Sequence, residues 1–247
     1  MDKSNQILIS THNAISKHNP ESVLVHCDSI NTLNLINFRK SPDLIIQKHW
    51  ENILYLADSR SIYIPAFNYD FPREKVFDVY NTPSQVGAIS EFVRKSKANW
   101  RTNDPMFSFS VRGPKLLINS NLKDIKSFGR NSIFETLSNM SAGILLYGAN
   151  FNSTTAIHHA ESLINVPYRY KKNFAGKLLI NKKQFNISYS SHFRPFGKYL
   201  DYRWDYLLED LKNNNIIQKI SPFIYYLSLR ELIDFWTKNI KEDIFYL

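Results

Sequence analysis

Two residue types at one spacing open the chemistry. In Ser153-Thr-Thr155-Ala-Ile-His158-His159-Ala-Glu161-Ser162 an imidazole and a carboxylate stand three positions apart. On a helix that spacing puts both side chains on one face, while His159 is turned about 100° away and cannot address the same target. An imidazole that titrates near 6.5 can take a proton from an attacking amine at neutral pH. A carboxylate on its other nitrogen would fix the tautomer and stabilise the cation formed. Ser153, Thr154 and Thr155 read as helix N-caps, and the first-turn N–H groups beside them would stabilise an oxyanion or a bound anion. These parts suit acyl transfer to nitrogen. Pattern alone favours a plainer reading, a surface ion pair on an amphipathic helix.

Other chemistry finds less support. No HExxH is present, and the seven histidines show no second close pair, so no metal site is expected. Cys27 beside His26 suggests a thiol nucleophile, but neighbours on a strand face opposite ways, and a sole buried cysteine is usually inert. Neither GxGxxG nor GxxxxGK[ST] occurs, which argues against a dinucleotide cofactor and nucleotide hydrolysis. A nucleic-acid role would rest on charge alone, and remains only as a remote, non-catalytic alternative.

The elements that must position the pair can be read from periodicity. A helix is expected over Asn5 to Lys17, and a buried strand over Ser22 to Cys27 that ends in the turn His26 to Ser29. A helix over Pro42 to Ala57 and a strand over Ser61 to Pro65 then imply a parallel crossover. Further on come a helix from Pro83 to Ala98 with Thr82 as its cap, and a strand from Phe107 to Val111. Next are a helix from Ser132 to Met140, a strand from Ala142 to Gly148, and the motif helix from Thr154 to Ile164. A hairpin is expected over Lys177 to Ile187, with closing helices near Tyr202 to Asn213 and Ser228 to Lys241. The irregular stretch from Asn68 to Tyr80 is a candidate functional loop. The fold class expected is α/β, one three-layer α/β/α sandwich over residues 1–247 with a mixed central sheet and antiparallel additions in the C-terminal half.

Composition sets the class. The chain has 247 residues and is 43% hydrophobic, enough for one large core. No apolar run approaches the ~20 residues that span a bilayer, and the start lacks a signal-peptide pattern, so a cytoplasmic protein without membrane association is expected. One cysteine excludes an intrachain disulfide. Lys plus Arg number 31 against 22 Asp plus Glu, a formal charge of +9, which favours anionic partners.

The order of motifs resembles the aminoglycoside 3-N-acetyltransferase family from about residue 20 to 175. The segments are Val23-Leu-Val-His26-Cys-Asp-Ser29, Ile64-Pro-Ala-Phe-Asn-Tyr69, Thr82-Pro-Ser84-Gln-Val-Gly87, Arg101 with Asp104-Pro-Met-Phe-Ser-Phe109, Phe128-Gly129 with Asn131-Ser132, and Thr155-Ala-Ile-His158-His-Ala-Glu161. Asn165-Val-Pro-Tyr-Arg-Tyr170 looks like the branch that modifies amino sugars for surface polysaccharides. The resemblance implies an acyl-CoA donor (acetyl-CoA or a hydroxyacyl-CoA), an amino-sugar acceptor and direct transfer. His158 matches the family's base and Glu161 its supporting carboxylate, with Thr155 near the thioester oxygen. His26, Cys27, Asp28, Ser29, Ser84, Gly87, Ser108 and Phe109 fall where the coenzyme A groove is lined, and Phe107, Phe109 and Tyr69 could wall a pantetheine channel. The chain departs from the family's pattern at Asp104, where His is common, at Asn31 to Lys40, where a Gly-rich stretch is usual, and at Cys27, where Ser is usual.

The charge of +9 opposes approach of a polycation, so the expected acceptor is a nucleotide-linked, dTDP-type aminodeoxy sugar for O-antigen, lipopolysaccharide or capsule synthesis. Tyr69, Tyr168, Arg169, Lys171 and Lys172 are its candidate contacts. The alternative is an aminoglycoside 3-N-acetyltransferase that confers antibiotic resistance. Self-association is left open, a homodimer being one arrangement.

Overall fold

The computed structural model describes residues 3–36, 41–116, 121–195 and 201–247. Its central strand β1 (Ser22–Cys27) is buried along nearly its whole length, which requires cover on both faces. Parallel neighbours flank it, β2 (Ser61–Pro65) on one side and β7 (Gly143–Tyr147) on the other. Alternation then sorts the side chains. Val23, Val25, Leu145 and Tyr147 meet Ile15 of α1 (Lys3–His18), Ile53 of α2 (Pro42–Ala57) and Val93 of α4 (Ala88–Ser96). Leu24, Ile144 and Leu146 face the opposite layer, with Leu137 of α5 (Ile133–Asn139), Ala160 of α6 (Ile157–Ile164), Leu211 of α7 (Trp204–Asn213) and Trp236 of α8 (Leu229–Glu242).

The main sheet has the order β10-β11-β7-β1-β2-β5-β4. Its outer strands β4 (Trp100–Arg101), β5 (Phe109–Arg112), β10 (Ile217–Ser221) and β11 (Ile224–Ser228) pair antiparallel. The α/β/α sandwich with a mixed sheet is thus present. Antiparallel strands also extend it beyond β2, from the N-terminal half of the chain. A second, four-stranded sheet, β3-β8-β9-β6, was not foreseen. It comprises β3 (Val76–Asp78), β6 (Ile125–Lys126), β8 (Tyr170–Ile180) and β9 (Lys183–Phe193). The expected hairpin is its centre, but runs from Tyr170 to Phe193 around Asn181 and Lys182, both at positive φ.

Two helix starts differ from expectation. Thr82 does not cap a helix at Pro83; its hydroxyl accepts the Asp78 N–H at 2.8 Å, and α4 begins only after Gly87 at φ 108°. The motif helix begins at Ile157, not Thr154, because Phe151–Ser153 form a 3₁₀ turn and Ala156 takes the cap position. The stretch from Asn68 to Tyr80 is not irregular throughout, since it holds α3 (Phe71–Glu74) and β3. Among the described residues no helix is long and apolar enough to cross a membrane.

β1, β2 and β7 end at one edge, where ligands gather in open α/β sheets. The turn that leads from β7 toward α6 passes through Gly148 at φ 78°, so close to β1 that a Cβ there would lie 2.2 Å from the Asp28 carbonyl oxygen. Both conformation and space demand glycine. Gly148→Ala is predicted to destabilise the fold by more than about 1 kcal/mol, read as a lower midpoint in urea unfolding.

Candidate active site

α6 carries His158 and Glu161 one turn apart, and the predicted shared face is realised: His158 Nδ1 lies 3.0 Å from Glu161 Oε2. The carboxylate has no solvent exposure, whereas the His158 side chain keeps 27%. A buried anion is stable only with partners. Arg169, just before β8, places Nε 3.1 Å from Glu161 Oε1. Tyr202, just before α7, donates its hydroxyl to the same oxygen at 2.7 Å. With both carboxylate oxygens engaged, Nδ1 of His158 is committed to Glu161, and Nε2 is the nitrogen left for the cavity.

The environment shifts both groups. Burial pushes the Glu161 carboxyl up, but His158, Arg169 and Tyr202 outweigh it and hold it below the usual range. For His158, burial dominates and lowers the imidazole, against the pull of Glu161 and with the help of Arg169 and Arg194. The residue is therefore neutral at physiological pH. His159 turns away as expected: it is buried, its Nδ1 accepts the Gly129 N–H at 3.0 Å, and burial lowers it to about 4.

His158 opens into a cavity of about 460 Å³. Pro65, Phe67, Val86 and Phe107 give it apolar walls, and Ser90, Asn152, Thr155, Arg194, Tyr202 and Trp204 add polar and aromatic groups. Two polar atoms in its lining, His26 Nε2 and Thr154 Oγ1, are buried without a partner among the described residues. Such orphans are costly unless a ligand satisfies them. Apolar walls with a few convergent polar atoms are the usual make-up of a small-molecule site. The entry to α6 bears on the oxyanion expectation. Ser153, Thr154 and Thr155 are not its caps, and the amides of Ile157, His158 and His159 are engaged by the carbonyls of Thr154, Thr155 and Ala156 at 3.0 to 3.2 Å. Among the described residues no acceptor faces the amides of Thr155 and Ala156, and the Thr155 hydroxyl donates to the Ser153 carbonyl at 3.3 Å.

The structure brings only part of the expected set together. His26, Cys27, Tyr69, Thr155 and His158 line the cavity. Burial lowers His26 to about 4 and pushes the Cys27 thiol up to about 12, so at neutral pH His26 is an uncharged, weakly basic ring and Cys27 a thiol, not a thiolate. Asp28 and Ser29 lie outside the lining; the Asp28 carboxylate accepts from the Ile30 N–H and the Asn31 amide and holds the turn after β1. Ser84 and Gly87 shape the approach to α4, and Val86 and Ser90 reach the cavity instead. Ser108 is buried between Arg101 and the Ala66 carbonyl. Phe109 is wholly in the core against Phe67 and Phe134. Of the expected acceptor contacts, Arg169 is held by Glu161, Tyr168 lines a separate cavity behind that carboxylate, and Lys171 lines a third. Lys172 lies on an exposed strand over the Phe174 ring.

Several site residues escaped sequence reasoning. Tyr202 and Trp204 arrive from more than forty residues downstream, and no local pattern announces that return. Phe128 packs on the His158 ring at 5.3 Å. Asp104 is explained by its burial: it accepts the N–H groups of Met106 at 2.9 Å and Phe107 at 2.7 Å, which turns Phe107 to the cavity. Asn31 bonds the Gly148 carbonyl at 2.9 Å, while residues 37–40 of the departure between Asn31 and Lys40 lie outside the described residues.

Residues 39–240 match the family described as aminoglycoside 3-N-acetyltransferase. The fold is similar to the solved structure of aminoglycoside acetyltransferase AAC(3)-IIb, with TM-score 0.72, 13% identity, and 96% of this chain and 97% of that one covered. It is also similar to AAC-IIIb in a binary complex with CoASH, with TM-score 0.69, 16% identity and coverage of 95% and 96%. The YokD protein from Bacillus subtilis gives TM-score 0.67, 18% identity and coverage of 96% and 94%. A comparison with curated protein sequences finds no match. The family match overturns the expected nucleotide-linked amino sugar of polysaccharide synthesis and backs the alternative. The physical reason is that net charge does not describe the site: Arg169 serves Glu161, and neither Lys171 nor Lys172 lines the cavity that His158 faces. With the family match spanning most of its length, the chain belongs to the aminoglycoside 3-N-acetyltransferase family.

Proposed function

We propose that residues 1–247 act as one N-acetyltransferase domain that moves an acetyl group from acetyl-CoA directly to an amine of an aminoglycoside. The observation that carries this reading is a neutral imidazole, oriented by a buried carboxylate, that opens into a cavity with unpartnered polar atoms in a chain of this family. Acetyl-CoA supplies the activated carbonyl.

The chain's own residues do the rest. Nε2 of His158 accepts the proton that the amine gives up as its nitrogen bonds to the acetyl carbon. Glu161 keeps the Nδ1–H directed and offsets the positive charge that the ring acquires. The backbone amide of Thr155, which lines the cavity, donates to the carbonyl oxygen as negative charge develops there. The imidazolium then returns its proton to the departing sulfur, so the products are an amide and a free thiol. His26 and Thr154 hold the polar groups of the donor's arm, and Phe107 and Val86 exclude water around it.

The pH consequence follows from the sign of the shift. Burial makes the protonated ring less stable, so His158 stays neutral below its ordinary 6.5 and gains a proton only at more acid pH. Glu161 acts the other way and favours the cation. NMR titration of the free protein is predicted to give a His158 midpoint below 6.5, and Glu161→Gln is predicted to lower it further; a midpoint that rises in this variant contradicts the assignment. His158→Ala is predicted to reduce turnover by roughly 10² to 10⁴ with coenzyme A binding kept, and Cys27→Ser to leave turnover nearly unchanged. The function itself is tested by thiol release from acetyl-CoA with a panel of kanamycin-type aminoglycosides. Acceptor-dependent release is expected; no release with any member overturns the proposal.

A further inference from the structure

The Tyr202 hydroxyl sits where three groups compete. It lies 2.7 Å from Glu161 Oε1, 3.2 Å from His158 Nδ1, and in contact with Arg169 Nη2. Nη2 itself is 3.3 Å from His158 Nδ1. A guanidinium nitrogen can only donate, and a carboxylate can only accept. Nδ1 therefore faces two opposed demands. Glu161 Oε2 at 3.0 Å requires a proton on Nδ1. Arg169 Nη2 would be satisfied by a lone pair there. The second arrangement moves the ring proton to Nε2 and removes the lone pair from the cavity, so it has no use for a base.

The phenol resolves the conflict. Its oxygen accepts from Arg169 Nη2, and its one proton goes to Glu161 Oε1. Packing fixes the ring in this position: it lies on Trp204 at 4.9 Å, and the guanidinium carbons of Arg194 and Arg169 lie 5.0 and 5.7 Å from its centre. We infer that Tyr202 is a positioning residue that selects the His158 tautomer, its oxygen taking the Arg169 Nη2 hydrogen that would otherwise reach His158 Nδ1.

The inference deepens the proposed function and rests on it for its kinetic consequence, because only a general base needs the lone pair on Nε2. Without the phenol oxygen Nη2 turns to Nδ1, and the Nε2–H form gains population. Tyr202→Phe removes one atom and keeps the ring packing. In ¹⁵N-histidine NMR of the free protein above pH 7, wild type is expected to carry the His158 proton on Nδ1, and Tyr202→Phe a substantial share on Nε2. Turnover of acetyl-CoA with aminoglycoside should fall about tenfold or more, with the Kd for coenzyme A unchanged. Adding Arg169→Lys, which keeps a positive charge but removes Nη2, should return the proton to Nδ1. A Tyr202→Phe protein that keeps the wild-type tautomer overturns the inference whatever its turnover. If the tautomer shifts while His158→Ala is fully active, the general-base reading fails and the positioning role stands.

Discussion

A carboxylate shut off from solvent, Glu161, is the constraint around which the site is arranged. Removing one partner from a buried ion pair costs about 3–5 kcal/mol, because the charge left behind has neither water nor a counterion. The chain meets this demand from three elements at once: His158 within α6, Arg169 before β8 and Tyr202 before α7. Each partner then inherits a fixed place. The imidazole gains one orientation and the guanidinium is withdrawn from ligand binding. The phenol ties the C-terminal part of the chain to α6.

The scaffold places this cluster by ordinary packing. β7 runs buried beside β1 and breaks at Gly148 against the backbone of Asp28. The chain then crosses the carboxyl ends of the parallel strands before α6 begins. His26 and Cys27 end β1 and Pro65 ends β2, so the same edge that receives α6 also lines the cavity. Asp104 extends this logic one layer outward. Its carboxyl, pushed up to about 6 by burial, is held by two backbone N–H groups and sets the turn that aims Phe107 at the cavity. Its work is done through the backbone.

Much of the main sheet and the pairing of His158 with Glu161 was legible in the sequence, and what was not has identifiable causes. β1, α2 and β2 were located to the residue because burial on both faces and helical spacing leave local marks. The His158 and Glu161 face followed from helix geometry alone. The start of α4 did not, since Thr82 and Pro83 imitate a helix start while the Asp78 turn claims the threonine. The edge strands of the second sheet join its hairpin by pairing between segments more than sixty residues apart, Ile125 with Tyr189 for example, which no window of sequence contains. Tyr202 was invisible for the same reason. The acceptor was misread because formal charge sums over the surface, whereas the cation nearest the base is already engaged.

In the proposed function, Glu161 makes His158 an effective base by fixing its proton and stabilising its charged form. The most direct measurement is single-turnover acetyl transfer from preloaded acetyl-CoA to an aminoglycoside by the Glu161→Gln protein, alongside its Kd for coenzyme A. Donor binding is expected to stay close to wild type, with transfer slowed by about tenfold or more. Transfer at the wild-type rate would contradict this role for Glu161.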